Sequence, residues 1–469
     1  MKQLVYIVFL FLTQFALGQS EVDYLNEKFT ADTIERSIKT HTGLLPNIRL
    51  NSKEGGNYMS ISALGDLNYV QGANVNFKAG LGGEFKLSAK EKWFVRLAAV
   101  QGIHDLDSIF VPKTFIRSVD KKTNLYTDIR SRVSFTPNQI FNFQAGVDHN
   151  FIGEGLRSMM LSDYGTPYPF AMIRTRFWRI EYSVLYQFMR EGQPGSWESK
   201  FNASHHISFN ATKWLNFGIF ETVIFQPKDT LLNRGFEVEY LNPVIFYRPQ
   251  EYSLGSSDNV LLGASFSAHY KKQTLYGQIM LDEFLLEEIR NKSGWWANKY
   301  GGQLGFKGEY NILGQNVFYR VEYNFARPYT YSHINGDYNY GNQGQTLTHP
   351  YGANFMEGLV ELKWQHKKWK AKLFANYFLR GLDDNGVNYG ANIYNPYTTR
   401  PEDYDHFIGR GYKVNGSVTN IMAAYELTDF GNLNVFVEGR LSYIKQTNNF
   451  NPMLVVGVRS LLWNDYRNY

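Results

Sequence analysis

The residues best able to do chemistry in this chain sit together between positions 148 and 170, DHNFIGEGLRSMMLSDYGTPYPF, where Asp148, His149 and Glu154 accompany Gly153 and Gly155. Carboxylates and an imidazole could hold a hard or borderline metal, and paired glycines could cradle a phosphate. Spacing rejects the phosphate: a dinucleotide loop needs a third glycine where Ser158 stands, and a P-loop needs Gly-Lys-Ser/Thr. Geometry rejects the metal, because in a continuing strand alternation sends Asp148 to one face and His149 to the other. The same alternation separates His205 from His206. LDDNGVN at 382 to 388 opens like a calcium loop but lacks the Asp/Asn spacing and the closing Glu. A turn is expected there instead. Ser332, His333 and Asp337 have the residue types of a hydrolase, at a spacing with no mechanical meaning. The expectation is therefore a protein with no catalytic group, no metal and no cofactor.

Composition defines the elements that must carry these residues. Lys2, an apolar core from Leu4 to Leu12 and the small residues before Gln19 read as a secretory signal peptide over 1–18. The chain has no cysteine, so disulfides and thiolate metal sites are excluded. Beyond the signal no apolar run reaches the ~20 residues of a membrane helix, and the mean hydropathy is −0.36. Aromatic residues nevertheless make up 16% of the chain, with 33 Tyr and 35 Phe beside 41 Gly, as strands, aromatic girdles and tight turns require. The net charge of +5 comes from 48 basic and 43 acidic residues interspersed along the chain, which gives no footprint for nucleic acid.

From residue 58 onward apolar and polar residues alternate. Leu433, Val435, Val437, Leu441 and Tyr443 share one face, opposite Asn434, Glu438, Arg440 and Ser442. Residues 317 to 326 and 369 to 380 repeat the pattern. A half-buried soluble sheet and a transmembrane barrel both alternate this way. The runs reach about 10 to 14 residues, longer than the ~5 to 6 usual in globular sheets and long enough to cross a bilayer at a tilt. About 18 runs can be placed between 58 and 463. Short turns then fall on one side, near Lys90, Pro137, Trp178, Thr212, Lys272, Leu313, Lys367 and Phe430, and every long connection falls on the other, as in outer-membrane barrels. The same parity assigns FEVEYLNPVIFY, 236 to 247, to a long outer loop. The fold class expected is all-β, a transmembrane antiparallel barrel over 58–469 in the outer membrane, preceded by a short helical periplasmic segment at 19–57.

Inward faces carry both signs, and Arg130, Arg132, Arg174, Arg176, Arg320, Glu322, Glu361 and Arg440 are expected to form a lumen charge network. A barrel of this size is an open channel unless plugged. The loops at 227–258, 327–353 and 382–412 are long enough to plug it. The loop sequence RPYTYSHINGDYNYGNQGQTLTHPYGANF and the nearby Trp295-Trp296 pair combine rigid rings with amide donors, which suits sugars. Trp295, Trp296, Tyr329, Tyr331, His333, Tyr338, Tyr340 and Tyr351 are the glycan-binding candidates.

Three outer segments, in order, resemble the Wzi-type capsule assembly barrels and their RemB-like relatives in gliding bacteria. They are GEGLRSMMLSDYGTPYPF, then EYLNPVIFYRPQEYSLGSSDNVLLG, then the loop in which Tyr331, His333, His349 and Gly352 fall in the family's tyrosine/histidine and histidine/glycine arrangement. The resemblance spans about residues 139 to 355. It implies an 18-stranded barrel with loops closing the lumen, and a lectin-like role at surface polysaccharide. The helical element before the barrel is shorter than the periplasmic bundle of the capsule proteins. Two alternatives stand beside the lectin: a diffusion channel for small polar solutes, and a barrel subunit of a gliding or secretion machine. Expected partners are membrane lipid and lipopolysaccharide, surface polysaccharide and other envelope proteins.

Overall fold

In the computed structural model, alternation becomes one closed antiparallel sheet. The structure describes residues 58–460, apart from 73, 90–91, 106–114, 119–122, 193–196, 228–237, 242–257, 313 and 429–432. The signal peptide and the 19–57 segment lie outside the described residues. Eighteen barrel strands follow in order: β1 Tyr58–Gln71, β2 Val75–Ala89, β3 Trp93–His104, β4 Asn124–Phe135, β5 Phe141–Asp148, β6 Tyr168–Phe177, β7 Ile180–Glu191, β8 Glu198–Asn210 and β9 Leu215–Phe225. The second half comprises β10 Asn259–Tyr270, β11 Gln273–Glu283, β12 Lys299–Ile312, β13 Gln315–Ala326, β14 Phe355–His366, β15 Trp369–Leu382, β16 Tyr412–Thr428, β17 Leu433–Ile444 and β18 Asn449–Ser460. Each strand pairs with the next. Closure comes from β1 against β18, from Asp66 opposite Arg459 to Gln71 opposite Leu454.

The burial pattern is that of a soluble protein turned inside out. Val321 and Tyr323 are about half exposed on β13, whereas Arg320, Glu322 and Asn324 between them are buried. Leu81, Ile279, Leu304, Ile421, Val437 and Leu454 repeat the exposed apolar face around the wall. A continuous apolar exterior on a closed barrel belongs in lipid. The strands cross it because pairing satisfies every ladder hydrogen bond within the protein. The barrel is thus of the outer-membrane type, and the protein is an outer-membrane protein. Trp178, Trp214, Tyr270, Tyr310 and Trp369 stand exposed where strands meet the short-turn side, forming one aromatic girdle. Two-residue turns there place Trp178, Lys271 and Lys367 at positive φ, which tight hairpins demand.

The last strand starts at Asn449, with Pro452 paired opposite Leu441 of β17. β18 meets β1 only from Leu454 onward, so Pro452 stands where a single neighbouring strand bonds and a missing N–H is tolerated. β5 is also short. It pairs β4 from Ser131 to Phe135 only, and beyond that point the segment Phe115–Ser118 takes over the edge of β4. Where β5 stops at Asp148, the chain turns into the lumen.

Facing gives the first test. Val321→Arg places a charge on the lipid face at mid-strand and is expected to lower folding stability in lipid vesicles by about 2–4 kcal/mol. Denaturant titration of variant against wild type measures it.

Candidate functional site

The segment 149–167 enters the lumen and bonds to inward-facing strand residues. Its hairpin is closed by Ile152 and Leu161, whose backbones bond at 2.9 Å. Gly153 (φ +143) and Gly155 make the tip possible, because a Cβ on Gly155 would lie 2.5 Å from the Glu322 carboxylate and 2.6 Å from the Arg157 carbonyl. Lumen side chains grip this tip. Glu322 of β13 accepts the N–H groups of Leu156 (2.8 Å) and Arg157 (3.2 Å) and the Tyr276 hydroxyl (2.8 Å). Gln278 of β11 accepts the Met159 N–H at 2.9 Å and donates to the Ile152 carbonyl at 3.0 Å. Gln303 of β12 donates to the Arg157 carbonyl, and Lys307 pairs with Glu154 at 2.7 Å.

The Arg157 guanidinium continues to Glu357 of β14 at 3.3 Å. Glu357 also binds the His349 ring at 2.7 Å and the Asn376 amide at 2.6 Å. One buried carboxylate therefore ties the first plug segment to the second, 327–354. Tyr331 strengthens that tie, donating its hydroxyl to the Met159 carbonyl at 2.8 Å. Met159, Met160 and Leu161 then pack with Tyr331, Tyr340, Leu347 and Tyr351 against lumen-facing Phe170, Met172, Leu185, Phe220 and Met280. The outer half of the lumen is a protein core. The segment 383–411 lies over it: the Tyr329 hydroxyl donates to the Asn388 carbonyl at 2.9 Å, and Ile393 joins the core. Beneath the tip a polar cleft remains, lined by Gly153, Glu154, Glu181, His206, Ser208 and Asn216 among others.

Six of the eight lumen charges named from the sequence stand in ion pairs. Arg130 binds Asp128 at 2.7 Å, Arg132 binds Asp148 at 3.3 Å, and Arg174 and Arg176 share Glu181. Arg320 meets Glu361 at 3.2 Å, and Lys363 and Lys372 converge on the same carboxylate. Arg440 is buried on the lumen face of β17. Sequence reading missed Arg157 and Gln278, which hold the plug, and missed the plug partners of Glu357. Glu357 was visible as an inward polar residue, but its partner came from a loop whose path has no periodicity.

His149 corrects the alternation argument. The strand ends at Asp148, so His149 also turns inward, its ring against Arg130 and its Nε2 2.9 Å from the Gly165 carbonyl. Asp148 and His149 are thereby committed to arginines and backbone. The other motifs are likewise occupied. Asn385 and Gly386 form a turn at positive φ, and Asp383 accepts the Tyr389 N–H at 2.8 Å. Ser332 donates to the Tyr329 carbonyl, and His333 Nδ1 accepts the Asn335 N–H. Among the described residues no group of three His, Asp or Glu could hold a metal.

The eight glycan candidates divide by burial. Tyr329, Tyr331, His333, Tyr338, Tyr340 and Tyr351 are all buried in or under the plug, where none offers a free ring face. Tyr329 and Tyr331 even hold positive φ, a strained backbone fixed by the hydroxyl bonds above. Trp295 and Trp296 are half-buried at the outer rim. Trp296 packs on Tyr397 at 4.6 Å between ring centroids, and the Arg400 guanidinium lies 4.1 Å over its ring. Tyr404 and Phe407, from the same segment, are exposed. Of the eight candidates, Trp295 and Trp296 are the two that keep exposed surface at the outer rim.

Solved structures share the architecture. Wzi of Escherichia coli, an outer-membrane protein involved in group 1 capsule assembly and a carbohydrate-binding β-barrel, superposes with a TM-score of 0.59 at 13% identity over 94% of this chain and 92% of that one. OprD of Pseudomonas aeruginosa gives 0.44 at 9% identity, over 86% of this chain and 94% of its own. No family model matches the sequence, and no curated protein does. The likeness to Wzi is one of fold.

Buried loop histidines make the plug sensitive to acid. Burial, with Arg157 and Arg380 adding repulsion, holds His349 down at about 4 despite Glu357. Burial likewise lowers His333 and His406 to about 4 and His149 to about 3. Released loops would titrate near the ordinary value of ~6.5, so the released state binds more protons as the pH falls. Docking is at full strength above about 6.5 and weakens progressively toward about 4. Amide protection factors of residues 349–354 in lipid vesicles, taken against the unstructured peptide at each pH, should be high at neutral pH and fall between those limits. Protection factors that stay constant across this window would contradict the assignment.

Proposed function

We propose that this protein is a non-enzymatic outer-membrane barrel that binds or anchors surface polysaccharide at its outer rim. The supporting observation is the rim cluster of Trp296, Tyr397 and Arg400, standing on a barrel whose lumen is filled by 149–167 and 327–354. Aromatic faces take the C–H side of a sugar ring, and a guanidinium beside them takes hydroxyls or a carboxylate. The carbohydrate-binding activity of Wzi, a barrel of the same fold, agrees with this reading.

A diffusion channel needs a continuous aqueous path, and the apolar packing of Met159 and Met160 against the lumen wall opposes one. A role in a gliding or secretion machine would add protein partners to the same rim. Of the candidate residues, Trp295 and Trp296 carry the proposal, with Tyr397 and Arg400 added by the structure. The buried tyrosines serve by shaping the platform beneath.

Replacing Trp296 and Tyr397 together with Ala is expected to weaken binding of polysaccharide extracted from the parent bacterium at least about tenfold, or ~1.4 kcal/mol. The Ile334→Ala variant, at an exposed outer-loop position outside the cluster, controls for general loop damage. Immobilised-glycan binding measures the effect, and unchanged affinity in the double variant would remove the rim from the account.

A further inference from the structure

On most of the wall, outward side chains are bare, but a patch of those on β7 to β9 is covered. Val184, Ala203, His205, Glu221, Val223 and Phe225 occupy outward registers, since their neighbours Leu185, His206 and Phe220 point to the lumen. Glu221 pairs across the ladder with His205, and His205 with Val184. Glu221 and His205 are each only 1% exposed and Val223 is 0%, yet Ile219, lower on the same face of β9, is 47% exposed. Depth makes this unusual. Glu221 stands six positions in from the short-turn end of its strand at Leu215, as Ile279 does from Gln273 and Val321 from Gln315, and both of those are exposed apolar residues. A carboxylate and an imidazole at that level would face hydrocarbon if left bare.

The connection between β9 and β10 supplies a cover. Its turn at Val238–Leu241 places Tyr240 against Phe225, with ring centroids 4.8 Å apart and the Tyr240 hydroxyl 2.5 Å from Asp258. The Leu241 carbonyl accepts the hydroxyl of outward-facing Tyr186 at 3.1 Å. Val184, Tyr186, Ala203, Val223, Phe225, Tyr240 and Val260 form one cluster, separate from the core inside the lumen.

We infer that the Val238–Leu241 turn docks on the outside of the barrel, as a lateral cover that shields the Glu221–His205 pair from lipid. On this side the protein meets the membrane through that turn, which makes a polar wall tolerable at hydrocarbon depth.

The absence of native cysteine allows a direct test in lipid vesicles. Spin labels at Val223→Cys and at Ile219→Cys would be compared for collision with dissolved oxygen, which concentrates in hydrocarbon. The Val223 label should be immobile and several-fold less accessible than the Ile219 label. Ala203→Cys, on the same covered wall, reports independently where the label at 223 disturbs packing. Adding Tyr240→Ala should raise accessibility at 223 and 203 toward that at 219. Equal accessibility at 219, 223 and 203 in the otherwise unaltered chain would overturn the inference, as would no response to Tyr240→Ala.

Discussion

The structure depends on two carboxylates that cannot be left alone. Glu322 and Glu357 lie on the lumen face, fully enclosed, and the groups that satisfy them come largely from loops. An uncompensated buried carboxylate costs several kcal/mol, so an emptied lumen would have to readmit water around both. The plug is therefore part of the folded state in the same sense that a core is. Hydrogen bonds at the tip and apolar packing above it act on the same few residues, from Ile152 to Leu161. Neither would suffice alone, because main-chain N–H groups without Glu322 would be orphaned in an apolar core.

The division of the lumen follows from this arrangement. Toward the outside, methionines and tyrosines pack as in a soluble domain; toward the short-turn end, ion pairs and a polar cleft remain. Mixed charge on the inward faces serves this division. Arg130, Arg132, Arg174 and Arg320 each have a neighbouring anion, so this wall neither repels the plug nor presents the single sign of a selective pore. The rim platform of Trp296, Tyr397 and Arg400 rests on the buried tyrosines, which set its height and rigidity.

Strands were legible because period two is local and strong: each of the about 18 runs corresponds to one strand, and parity placed every long loop on the outer side. The strand-like run at 236–247, of which only 238–241 lies within the described residues, contributes no strand between β9 and β10, which pair directly. The loops were not legible, for two physical reasons. Alternation ends with the strand, so His149 and everything after it lost its facing rule. Burial of tyrosine in a plug and exposure of tyrosine in a binding surface use the same composition, so a loop rich in Tyr, Asn and Gly could not be sorted into core and platform. Tyr397 and Arg400 went unnoticed for the converse reason, since they come from a different loop and meet Trp296 only in space.

The central claim is that the lumen is closed by residues anchored on Glu322 and Glu357. Single-channel recording across a planar bilayer at neutral pH tests it most directly, with the unaltered chain beside the Glu322→Ala, Glu357→Ala double variant. The account predicts a silent unaltered barrel and intermittent openings in the double variant. A stable, ohmic conductance from the unaltered chain would contradict it.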